Sequence, residues 1–129
     1  MIALDSSSVI AFLSGDHGTD VTAVEAALRL RQGVFPPVVV TELLSDPAIR
    51  VEISMVIRAV PRLEIRRGYW ERSGELRAQL LRRGLKARLA DTLIAQSCLD
   101  HNVTLVTRDR DFRHFALHAG LRLQSARPM

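Results

Sequence analysis

A chain of 129 residues with a single cysteine is long enough to bury roughly two-thirds of its unfolded surface in one core, so one domain spanning 1–129 is expected and disulfide scaffolds are excluded. No apolar run approaches the roughly 18 residues of a membrane span, and no basic-then-apolar leader precedes Ile2, so a cytoplasmic protein with no membrane partner is expected. The 18 basic residues exceed the 14 acidic ones, giving a net charge of +4, which permits a polyanionic partner without demanding one, while only six aromatic residues argue against a platform for stacking bases.

The chain opens on IALDSSSVIAFL. Ile2 to Leu4 reads as a buried strand that delivers Asp5 to its carboxyl end, and Ser7 to Leu13 as a short helix that Ser6, Ser7 or Ser8 would cap. A second helix follows from a cap at Thr19 or Asp20 to a stop at Gly33, with Val21, Val24, Ala27, Leu28 and Leu30 on a helical period. VFPPVVVTELL mixes signals, since three valines favour a strand while Pro36 and Pro37 suit a helical first turn. It is read as a very short strand at Val34 and Phe35, then a helix carrying Glu42. Asp46-Pro47 is read as the cap and first turn of a buried helix, AIRVEISMVIRAV, that Pro61 ends. RLEIR is a brief strand, and Tyr69 to Arg83 a charged helix with Leu76, Leu80 and Leu81 as its apolar side and Gly84 as its stop. LKARLADTLIAQSCLDHN is an apolar helix ending near Asn102, and VTLVT is the clearest strand. DFRHFALHAG makes a last helix, LRLQ a last strand, and a short tail runs to Met129. Alternation of this kind implies an α/β fold, its roughly five strands forming a mainly parallel twisted sheet with helices on both faces.

Four acids are embedded in or directly adjoin apolar segments: Asp5, Glu42, Asp91 and Asp109. Each has an ordinary explanation as a cap, a turn residue or an ion-pair partner. Together they are harder to explain that way, because an acid near a core must be paired, capping or metal-bound. Two stand at the ends of strands that are potential sheet neighbours, and two on helices able to pack beside those ends. Such a cluster repels itself unless a cation compensates, and oxygen ligands without a Cys/His set favour Mg²⁺ or Mn²⁺ over Zn²⁺. A divalent cation in that setting suits hydrolysis of a phosphodiester. With the four set aside, 18 basic residues face 10 acidic ones, a net charge of +8 able to hold a nucleic acid against an otherwise repulsive site.

LDSSSVIAFLSGD, TELL around Glu42, RLADTLIAQSCLDHN around Asp91 and LVTRDRDF around Asp109 together resemble the PIN-domain ribonucleases, and among these the small VapC-type toxins of bacterial toxin–antitoxin pairs. The resemblance covers nearly the whole chain. It implies the three-layer PIN-like fold and metal-dependent RNA hydrolysis by a metal-activated water. Asp5, Asp91 and Asp109 would be the metal-binding acids, with Glu42 as the further site acid; all four are the catalytic candidates. Ser7 and Thr107 would be hydroxyls lining the site. Many relatives open with DTN or DTS where this chain has DSS, a change that keeps the hydroxyl. The family pattern favours Asp109 over Asp111, which is read as peripheral and capping the last helix. A homodimer and an antitoxin covering the active-site groove follow from the same resemblance.

Arg88 and Arg108 flank the acids and are candidates for contacting RNA phosphates; a solvated basic face is the plainer reading, since 17 of the 18 basic residues are arginine. His114 and His118 have the spacing of two ligands on one helix face but lack the intervening glutamate and a third ligand. Cys98 reads as packing. No serine sits in a GxSxG elbow, and Ser7 stands where an aspartate-nucleophile phosphatase would carry its second aspartate. The alternative from another class is a non-catalytic RNA-binding or regulatory module of the same fold.

Overall fold

In a computed structural model, which describes residues 1–125, the chain folds around four short strands: β1 (Ile2–Leu4), β2 (Gly33–Val34), β3 (Leu105–Thr107) and β4 (Leu123–Ser125). They pair in the order β2-β1-β3-β4, every neighbour parallel. Ala3 and Leu4 of β1 and Leu105 and Val106 of β3 are all 0% exposed. Successive strand residues point to opposite faces, so both faces are covered, as a parallel sheet requires. The three-layer α/β expectation therefore holds. The tail read after the last strand lies outside the described residues.

Four strands replace the expected five. RLEIR contributes only an isolated bridge, Arg62 to Phe35. Pro61 lacks an N–H to extend the ladder, and the three residues after Leu63 are exposed, so nothing buries a second face. The expected strand at Val34 and Phe35 is shifted by one residue to Gly33–Val34.

Seven α-helices lie among the described residues: α1 (Ser6–Leu13), α2 (Thr19–Arg29), α3 (Pro37–Leu44), α4 (Val51–Ala59), α5 (Tyr69–Arg82), α6 (Leu89–His101) and α7 (Arg113–Ala119). A 3₁₀ turn at Arg110–Phe112 leads into α7. Pro37 occupies the first turn of α3, where its missing N–H costs nothing. Asn102 ends α6 in the left-handed conformation at φ 52°, as asparagine tolerates. Leu76 and Leu80 of α5 are buried, but Leu81 is 47% exposed.

The reading of the fourth helix needs correction. Asp46 does not cap it: its Oδ1 accepts from the Ala48 N–H at 2.9 Å, a local turn, and α4 begins only at Val51. Nor is α4 a buried helix. Ile57 alone is fully enclosed, while Val51 and Met55 are 71% and 65% exposed, because α4 lies at the periphery against α3.

Strand order positions the site. The chain leaves β1 to form β2 on one side and returns to add β3 on the other. Connections leaving β1 and β3 diverge there, opening a crevice at the carboxyl ends of the two strands, the place where open α/β sheets bind ligands.

Candidate metal centre

Leu4 pairs with Val106, and the Asp5 N–H donates to the Val106 carbonyl at 2.9 Å, so Asp5 and Thr107 emerge side by side from β1 and β3. The Thr107 hydroxyl donates to Asp5 Oδ2 at 2.8 Å, and the Ser7 hydroxyl donates to the same oxygen at 2.6 Å. Thr107 Oγ1 also accepts from the Asp109 N–H at 3.0 Å. One buried hydroxyl thus links the two strand-end acids. Both residues expected to line the site, Ser7 and Thr107, lie in this network.

The serines after Asp5 do not cap α1. Asp5 itself stands at the N-cap, without a side-chain cap bond. All three hydroxyls go instead to carboxylates: Ser7 to Asp5, Ser6 to Glu42 Oε1 at 3.0 Å, and Ser8 to Asp20 Oδ2 at 2.8 Å. A carboxylate at hand outcompetes the helix N–H groups, since bonds to an ionised acceptor are the stronger ones.

Asp91 enters from the first turn of α6. It is 9% exposed, and its Oδ2 is buried with no hydrogen-bond partner. Burial, reinforced by the charges of Asp109 and Asp5, pushes its pKa up to about 6. Asp109 caps the 3₁₀ turn, its Oδ1 accepting from the Asp111 N–H at 2.9 Å. One carboxylate oxygen from each of Asp91, Asp109 and Asp111 lies within 4.8 Å of the others. Asp111 therefore stands in the cluster rather than at the periphery, and it does not cap the last helix, whose N-cap position is Phe112; the 3₁₀ turn capped by Asp109 brings Asp111 back toward Asp91. Its carboxyl is held below the usual range by the Lys86 ammonium, 3.1 Å away.

Asp5 is held above the ordinary carboxylate range by burial, against its hydroxyl donors and with the charge of Asp109 adding to the rise. Glu42 is an exposed residue of α3 whose carboxyl is raised by partial desolvation, opposed by Ser6 and reinforced by Asp5. The four expected acids thus share one electrostatic neighbourhood, but Glu42 is outside the close trio of Asp91, Asp109 and Asp111.

The donor set can be tested against a divalent cation. Three acidic side chains converge, one carries a buried oxygen with no donor, and two carboxyls remain hard to ionise. A hard cation with oxygen ligands fits each observation. Among the described residues no histidine or cysteine joins a metal-holding group. Cys98 is fully buried, its thiol pushed up to about 12 chiefly by burial, which leaves it inert.

Of the two arginines expected to meet RNA, Arg88 is exposed just before α6, where its charge lowers the Asp91 and Asp111 pKa values. Arg108 is already engaged. Its Nε and one terminal nitrogen donate to the two oxygens of Asp20 at 2.8 and 3.0 Å, and Asp20 is 0% exposed. In the sequence Asp20 reads only as a candidate cap of the second helix; Gly18 holds that position and Asp20 lies within the first turn of α2, and its ionic partner stands 88 positions away, which no local pattern announces.

The sequence profile of the PIN domain matches residues 2–117. Among solved structures, the fold is similar to VapBC2 from Rickettsia felis bound to a promoter DNA fragment, with a TM-score of 0.71 and 23% identity over 98% of this chain and 100% of that one. It is also similar to VapBC-5 from Mycobacterium tuberculosis, at 0.67 and 20% over 96% and 97%. FitAcB from Neisseria gonorrhoeae gives 0.68 and 19% over 95% and 96%. No curated protein matches the sequence. A profile match over most of the chain, an all-parallel sheet in the order β2-β1-β3-β4 and acids converging at its switch point agree: the chain belongs to the PIN domain family.

Proposed function

We propose that this protein is a single-domain, Mg²⁺- or Mn²⁺-dependent endoribonuclease and the toxin of a VapBC-type pair. The observation that carries the reading is the convergence of the Asp91, Asp109 and Asp111 carboxylates beside the carboxyl ends of β1 and β3, with Asp91 Oδ2 buried and without a donor. Asp91, Asp109, Asp111 and Asp5 would hold the cation, with Glu42 beside Asp5. A divalent cation at such a site supplies positive charge to phosphate oxygens and acidifies water.

The chain's own residues then have distinct tasks. Ser7 and Thr107 hold Asp5 in one orientation through its Oδ2. Thr107 and the Asp111 N–H fix the backbone and the carboxyl of Asp109. Arg88 offers an exposed cation at the rim for an RNA phosphate. That the similar solved structures are VapBC complexes supports an antitoxin partner covering this groove. The homodimer is carried over from the same resemblance.

Arg88→Ala is expected to flatten the dependence of log Kd on log salt for single-stranded RNA by about 0.7, the value of one phosphate contact, whereas Arg108→Ala leaves the slope unchanged. An unchanged slope for Arg88→Ala removes it from the interface. The reading as a whole is tested by incubating labelled RNA with Mg²⁺, Mn²⁺ or EDTA, alongside Asp5→Asn and Asp91→Asn. Cleavage that needs the metal and is lost in both variants is expected. Metal-independent cleavage, or wild-type rates in the variants, overturns the reading, and binding without cleavage favours the non-catalytic module.

A further inference from the structure

Asp20 is an aspartate with no exposure to water, in the first turn of α2. An interior carboxylate is tolerated only when ionic and hydrogen-bonding partners replace its hydration. Both sets are present. Arg108 grips it side-on through two nitrogens, at 2.8 and 3.0 Å, and the Ser8 hydroxyl donates at 2.8 Å. Arg108 continues to the His17 carbonyl at 3.1 Å and reaches toward Asp16 at 3.6 Å.

The chain positions of the two partners matter more than the pair itself. Arg108 immediately precedes Asp109, and its N–H lies 3.4 Å from the Ser7 hydroxyl. Ser8 is on the first turn of α1 with Ser7, directly after Asp5 at its N-cap. Asp20 therefore holds, from outside the acid cluster, both backbone segments from which Asp5 and Asp109 project.

We propose that Asp20 is a positioning residue for the metal centre, setting through Arg108 and Ser8 the spacing of Asp109 and Asp5. This rests on the reading of the acids as a cation site. Asp20 touches neither the cation nor the substrate. It acts as an outer support acts on ligand carboxylates, whose loss typically weakens metal binding about 10–100-fold.

The same fold supplies a control. Arg72 and Asp100 form a second two-point ion pair, at 3.0 and 2.6 Å, between α5 and α6. Asp100 stands nine residues beyond Asp91 on α6, roughly 13 Å along the helix axis.

The experiment measures Mn²⁺ affinity by calorimetry, and melting temperature in EDTA, for the full chain and for Asp20→Asn, Arg108→Lys, Arg108→Ala, Ser8→Ala and Asp100→Asn. Asp20→Asn and Arg108→Ala are expected to weaken Mn²⁺ binding by about 10–100-fold, Arg108→Lys and Ser8→Ala by less. Asp100→Asn should lower the melting temperature and leave Mn²⁺ affinity within twofold of wild type. If Asp20→Asn fails to fold, Arg108→Lys and Ser8→Ala carry the decision. Wild-type affinity in folded Asp20 and Arg108 variants, or an equal loss in Asp100→Asn, overturns the positioning role while leaving the metal site standing. Failure of the wild type to bind Mn²⁺ overturns the site itself.

Discussion

Asp91→Asn is expected to abolish metal-dependent cleavage and, in the same protein, to raise the melting temperature in EDTA. Without a cation, the Asp91 carboxylate is buried with one oxygen lacking any donor and repelled by Asp109 and Asp5. Its folded pKa of about 6 stands above the ordinary value of 3.8, so the folded state binds this proton more tightly than the unfolded one. Linkage then fixes the sign. The penalty is absent below about pH 4, grows as pH rises to about 6, and is constant above that. Asparagine removes the charge, and its amide can donate to the neighbouring carboxylates. The expected gain at pH 7.5 is about 1–3 kcal/mol, or roughly 3–10 °C in Tm for a chain of this length. Mn²⁺ at roughly 1,000 times its Kd should reverse the order, because it adds about 4.1 kcal/mol to the wild type alone. Thermal melts at pH 4 and 7.5, with and without Mn²⁺, check all three statements. An Asp91→Asn protein that is less stable than wild type in EDTA at pH 7.5 contradicts the picture.

Asp111→Asn should weaken Mn²⁺ binding by at least the roughly 10–100-fold that losing a mere support of a ligand costs, an effect of the same size as that of Asp109→Asn. One oxygen of each residue lies within 4.8 Å of Asp91 and of the other, and two acids so placed are equivalent to an ion between them. Lys86 does not remove Asp111 from the site. The pair is half-exposed and 3.1 Å apart, and such pairs hold weakly, at about 0–1 kcal/mol, so a divalent cation displaces it readily. A Mn²⁺ titration of the two variants in parallel decides the matter. Wild-type affinity in Asp111→Asn alone returns Asp111 to the periphery.

The two central strands, β1 and β3, were legible because each is a short apolar or β-branched run that stops at a polar residue. That rule also exposed Asp5 and Asp109, which stand where apolar runs stop. Asp91 was visible for the opposite reason, as an acid within an otherwise apolar helix. RLEIR alternates charged and apolar residues as a half-buried strand does and is not a strand; it makes only the bridge from Arg62 to Phe35, and the three residues after Leu63 are exposed. Asp46-Pro47 carries a helix-start signal that a local turn satisfies equally well. The serine run was read by its commonest use, and what redirects its hydroxyls is the arrival of Glu42, Asp20 and Asp5 in space. Asp111 and Asp20 mark the limit most sharply. The first differs from its neighbour Asp109 only by the tight turn between them, and the second depends on Arg108, which no periodicity connects to it.

The acid cluster stands or falls on whether it takes up a divalent cation. Mn²⁺ titrated calorimetrically into the wild-type protein at pH 7.5 should show saturable binding. Affinity should fall at pH 5 as Asp91, with its pKa near 6, regains its proton, and Asp91→Asn should show no comparable binding at either pH. Absence of saturable binding in the wild type, or equal binding by Asp91→Asn, would contradict a metal centre at the crevice between β1 and β3.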